Sequence, residues 1–182
     1  KKAILAPYSE SDYIDACVND ALILASAAFE TAYSKDAQRT EQKSAAWQFV
    51  KIYYAAYYGA NALMRLSGRC CSNLAAEECA AINEYALLVS QGGDTPERKI
   101  SPGLYEIQLE KIPSTKIFLR TISGKGGVHI QFWICFLNFL NQLKLEIKNQ
   151  TCTSIEKIAA TEQINNLIAI LTREDHKNGA WL

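Results

Sequence analysis

The chain has little histidine, no excess of charge and no unbroken apolar run. His129 and His176 are its only imidazoles, and none of its six cysteines forms a C-x-x-C pair. That argues against a zinc framework, and no cofactor is expected. Lys and Arg number 19 and so do Asp and Glu, with a pI near 6.9. Such a balance argues against coating nucleic acid through bulk charge, although a local basic groove stays compatible with it. The most apolar stretch, FWICFLNFLNQLKLEI at 132–147, is broken by Asn138, Asn141, Gln142 and Lys144. It is too short to span a bilayer and is expected to be a buried helix, with no membrane contact. No basic–apolar leader is seen at the start. The first residue is Lys1 and the only methionine is Met64, so the chain is expected to be a piece of a longer protein. Cys17, Cys79 and Cys135 fall on apolar helical positions, where a thiol behaves as a small hydrophobe. Reduced thiols and a cytoplasmic location are the expectation.

At 182 residues and 49% apolar content, residues 1–182 are expected to form one domain with a sizeable core. Ser9 or Ser11 can cap a first helix, with Ile14, Cys17, Val18, Ala21, Ala25, Ala28, Phe29 and Ala32 at helical spacing to about Tyr33. A second helix is expected over about Ser44–Ser67, stopped by Gly68. Phe49, Ile52, Ala56, Ala60, Leu63 and Leu66 form one of its stripes, and Trp47, Val50, Tyr54, Tyr57 and Met64 most of another. A helix apolar nearly all round is expected to be buried. A third helix fits 73–90, a fourth 128–149, and a fifth is capped by Ser154. Between the third and fourth, LYEIQLEKI at 104–112 alternates with period two, and KIFLRTIS after Pro113 suggests a second strand or extended loop. The expected fold is mainly all-α: an antiparallel bundle of four or five helices with a small loop or β-hairpin insertion around 100–123.

The string SGKGGVHI at 123–130 fails as a phosphate loop, because Gly126 rather than Ser or Thr follows Lys125. It is expected to be a turn before a helix. A better constellation lies in KIYYAAYYGANALMRLSG at 51–68. Lys51, Tyr54, Tyr58, Asn61 and Arg65 recur every three or four residues and so share one helix edge. Tyrosines beside Arg and Lys can stack unpaired bases and neutralise phosphates. They can equally pack a core with their hydroxyls at a polar rim. A small-molecule site among the tyrosines and Asn61 is a third alternative.

The stretch FVKIYYAAYYGANALMRLSG resembles the aromatic, Ala-rich signature helix of HEPN-domain proteins (higher eukaryotes and prokaryotes nucleotide-binding). The closing NGAWL resembles the approach to the last segment of some bacterial members. The resemblance implies an all-helical bundle, a prokaryotic toxin–antitoxin or phage-defence setting and a homodimer. In many members it also implies metal-independent RNA cleavage by an Arg followed four to six residues later by His. That spacing is missing here: two residues separate Arg173 from His176, and eight separate Arg120 from His129. As the closest Arg–His pair, Arg173 and His176 are the candidate catalytic residues, with Arg holding a phosphate and His acting as general acid or base. The expected function is association with nucleic acid, with RNA the expected partner. The alternative is a non-catalytic helical adaptor or immunity module whose partner is another protein.

Overall fold

The computed structural model describes residues 2–7, 9–33, 44–89, 99–110, 115–124, 126–151 and 153–173. Its elements run β1 (Lys2–Leu5), α1 (Glu10–Tyr33), α2 (Ala45–Leu66), β2 (Arg69–Leu74), α3 (Ala76–Val89), β3 (Gly103–Glu110), β4 (Lys116–Thr121), α4 (Val128–Lys148) and α5 (Ser154–Leu171). The chain is mainly helical, as expected, but not helical alone. The expected hairpin, β3–β4, is the centre of a four-stranded antiparallel sheet of order β1-β4-β3-β2. Among the described residues no helix is long and apolar enough to cross a membrane. The chain divides into two compact units, residues 1–15 with 68–125 and residues 16–67 with 126–182.

In the first unit, period-two alternation sorts the sheet residues. Cys70, Tyr105 and Leu119 fall on one face and are buried there. Glu106 and Arg120 face each other on the opposite side and form an ion pair at 3.3 Å. The Tyr105 hydroxyl donates to the Ser101 carbonyl at 2.7 Å, which satisfies its one polar atom inside the core. Asn83 of α3 donates to the Ile100 carbonyl and accepts from the Ile100 N–H, fixing the approach to β3. Gly68 ends α2 and starts β2 with a φ of +67°, and its carbonyl accepts from Leu109 N–H at 2.8 Å. That left-handed backbone suits glycine, as the stop signal in the sequence implied.

The second unit contains most of α1, then α2, α4 and α5. Asp20 meets Arg65 and Ala28 lies against Gly59, so α1 and α2 run in opposite senses. Lys144 donates to Asn165 and Lys157 to the Lys148 carbonyl, so α4 and α5 are antiparallel as well. Phe132, Cys135, Phe136, Phe139 and Leu140 of α4 form a buried stripe. The α5 cap is Thr153, one residue before the expected Ser154. Thr153 and Glu156 exchange side-chain and backbone hydrogen bonds in a capping box.

Two expectations are corrected. Residues 69–74 form β2, so the third helix begins at Ala76. And α2 is not buried all round. Its C-terminal half buries Ala60, Asn61, Ala62 and Met64, whereas Trp47, Phe49, Ile52 and Leu66 are more than half exposed. Helical periodicity identifies stripes but not which of them a neighbour covers.

Candidate functional site

Helical spacing gathers the tyrosines of α2, and α4 closes them into a cluster. Tyr57 packs on Phe132 with ring centroids 4.5 Å apart, and Tyr53 lies 6.2 Å from Trp133. His129, on the first turn of α4, sits against three tyrosines: Tyr57 at 5.3 Å, Tyr53 at 5.6 Å and Tyr54 at 6.4 Å. Edge-on and tilted geometries dominate, as the quadrupoles of aromatic rings prefer. Gly127 is the α4 N-cap and makes no side-chain cap hydrogen bond.

The Tyr53 hydroxyl is the polar centre of this corner. It accepts the indole N–H of Trp133 at 3.2 Å and lies 2.8 Å from His129 Nδ1. Burial raises the Tyr53 pKa above its ordinary 10; the Trp133 hydrogen bond pulls the other way, and Tyr54 adds slightly to the rise. The phenol therefore keeps its proton at neutral pH. Indole only donates, so the phenol oxygen accepts from Trp133, and the direction of its contact with Nδ1 is set by the imidazole tautomer. The imidazole is exposed and meets solvent beside the aromatic faces.

The five residues predicted to share an edge do share α2, but their environments divide. Lys51 and Tyr58 are half-buried and Tyr54 is 38% exposed, all at the aromatic end. Asn61 is buried, and its amide donates to the Tyr57 carbonyl at 2.9 Å. Arg65 reaches Asp20 of α1 at 3.5 Å. Those two therefore tie the helix to itself and to its neighbour. Arg173 is exposed, two residues beyond α5; His176 lies outside the described residues.

Sequence reasoning missed His129, Tyr53 and Trp133. In sequence, His129 is a lone imidazole on an apolar helix start. Its partner Tyr53 stands 76 positions away, and no local pattern encodes that pairing. The imidazole two residues past a Gly-rich turn was the available signal.

A second feature flanks the aromatic corner. An apolar groove of about 440 Å³ runs between α2, α4 and α5. Phe49, Ile52, Ala56, Gly59 and Leu63 form its α2 wall, Trp133 and Phe136 its α4 wall, and Leu167, Ile170 and Leu171 its α5 wall. Tyr53 also lines the groove, on the side of the aromatic corner.

Among the described residues no cluster of three His, Cys, Asp or Glu side chains could hold a metal ion. The five described cysteines are free and buried. No family model, curated protein or solved structure matches the chain.

Proposed function

We propose that the chain is a HEPN-like, mainly helical domain of a prokaryotic defence or toxin–antitoxin system. On this proposal the aromatic end of α2 contacts single-stranded nucleic acid. The supporting observation is the corner itself: Tyr54 and His129 at the surface, backed by Tyr53, Tyr57 and Trp133, with Lys51 on the same helix edge. Base stacking on such rings is worth about 1–3 kcal/mol per base and tolerates any base. Phosphate contacts play a small part, because α2 carries only Lys51 and Arg65 as cations and Arg65 is paired with Asp20. Binding should therefore depend weakly on salt. No cleavage step is assigned, since the required Arg–His spacing does not occur in residues 1–182.

Fluorescence anisotropy with a labelled single-stranded RNA tests this. Tyr54→Ala and His129→Ala should each weaken binding by about fivefold or more, whereas Arg65→Ala should leave affinity unchanged once folding is verified. Absence of binding at low salt, or binding indifferent to Tyr54 and His129, rejects the proposal.

One observation favours a second reading, a protein-interaction module. Phe49, Ile52, Leu167 and Ile170 present a large apolar face at the groove. Faces of that kind mark association surfaces on monomeric proteins.

A further inference from the structure

Helix α1 turns small residues inward and large apolar ones outward. Its buried residues are Cys17 and Ala21, and Ala28 faces Gly59 of α2. Val18, Leu22, Phe29 and Tyr33 are 41%, 61%, 65% and 78% exposed. At about 100° per residue these four lie within roughly 60° of the helix circumference, centred about 110° from the inward set. The rings of Phe29 and Tyr33 stack with centroids 6.2 Å apart, so one end of the stripe is a continuous aromatic surface. A helix that only closes a core puts its bulk against the neighbour it packs on. This one meets α2 through small residues and leaves much of its bulk to water.

The charges of α1 are all of one sign. It carries Glu10, Asp12, Asp15, Asp20 and Glu30, and no Lys, Arg or His. Asp20 pairs with Arg65 of α2. By helical phase Asp15 falls on one rim of the stripe, and Asp12 and Glu30 lie about 60° beyond that rim, with Asn19 and Ser26 between. We propose that this stripe is the docking surface for a basic amphipathic helix of another protein. The apolar side of the partner lies along Val18, Leu22, Phe29 and Tyr33, and its Lys or Arg residues meet the acidic border. The stripe is about 22 Å long, the length of about 15 helical residues. The sign of the border selects among occupants. It repels the phosphates of nucleic acid and of an anionic lipid surface, and two copies of the chain would set acid against acid.

Taking about 200 Å² for a fully exposed large apolar side chain, the four stripe residues leave on the order of 450 Å² uncovered. Patches of that size mark association sites on protein surfaces. An interface built on it is at the small end for protein partners, so the complex is reversible, with a dissociation constant of about 1–100 μM. Salt screens exposed carboxylates, so binding weakens as ionic strength rises. The surface lies on α1, apart from the aromatic corner and from the groove. It goes beyond the nucleic-acid reading and is measured without RNA, so either can fail alone.

The probe is a labelled synthetic peptide of about 18 residues, with leucines on one helical face and lysines on the other, titrated with the whole chain by fluorescence anisotropy. It should bind at micromolar concentration, whereas a scrambled peptide of the same composition and a patterned Leu/Glu peptide should bind at least about tenfold more weakly. Leu22→Ser with Phe29→Ser should weaken binding about tenfold or more. Both side chains are exposed, so the circular dichroism of this variant should stay native. Asp15→Lys with Glu30→Lys should reverse the preference, weakening the lysine peptide and admitting the glutamate one. Absence of binding at about 1 mM, equal affinity for the scrambled or the glutamate peptide, or binding indifferent to Leu22 and Phe29 would each overturn the proposal. So would sedimentation that shows a self-associated chain returned to monomer by the Leu22 and Phe29 changes, because the occupant would then be a second copy.

Discussion

Replacing Tyr53 with Phe removes one oxygen and keeps the ring, so it isolates the polar centre of the aromatic corner from its packing. The oxygen lies 3.2 Å from the Trp133 indole nitrogen and 2.8 Å from His129 Nδ1. A neutral hydrogen bond contributes about 0.5–1.5 kcal/mol net, and the Trp133 contact is at the long end of the range. His129 is exposed, so water replaces much of what its ring loses. Removing the hydroxyl also removes its own desolvation cost, which offsets part of the loss. The expected net loss is about 1 kcal/mol, or a fall in Tm of about 2–4 °C for a chain of this size. Urea denaturation read by tryptophan fluorescence should show a midpoint lowered by about 0.5 M at unchanged slope. A double-mutant cycle with Trp133→Phe should return a coupling of at least about 0.5 kcal/mol. An unchanged or raised Tm together with zero coupling would refute the hydrogen-bonded centre and leave a corner held by ring packing alone.

The other predictions concern the two helix-associated glycines and the α5 cap. Gly59→Ala should stabilise by about 0.5–1 kcal/mol. The added Cβ would sit 4.0 Å from Ala28 Cβ, an ordinary contact, so a lowered Tm would refute it. Gly68→Ala should do the opposite and cost about 1–2 kcal/mol, because its φ of +67° is left-handed and a Cβ would lie 3.2 Å from Leu109 Cβ. Equal stability of this variant and the parent in thermal melts would count against that strain. The side-chain and backbone hydrogen bonds from Thr153 hold the Glu156 carboxyl below its usual value of 4.5. Its contribution is therefore fully present above about pH 4.5 and lost as pH falls through the lower folded value. Glu156→Gln should melt below the parent at neutral pH and converge with it in acid; parallel pH profiles would reject the cap's role.

Much of the backbone was legible because local signals carry it. Periodic apolar residues located α1, α2, α4 and α5 to within a residue or two, and Gly68 marked the α2 stop. Alternation located β3, and the stretch after Pro113 became β4. The two outer strands were not legible. β1 has four residues, too few to show alternation, and β2 is RCCSNL, of modest strand propensity. Register with β4 and β3 makes them strands, and register is a tertiary property.

The site divides in the same way. Spacing correctly gathered Lys51, Tyr54, Tyr58, Asn61 and Arg65 on α2, because an edge is a local property of a helix. It could not separate Tyr54, at the surface, from Asn61, bonded to its own backbone, since that depends on what α1 and α4 bring up alongside. The small residues of α2 carried a further ambiguity. Alanine and glycine at helical spacing permit close helix approach, but the pattern does not say to which helix. Gly59 lies against Ala28 of α1 and also lines the groove, so one small residue serves two faces.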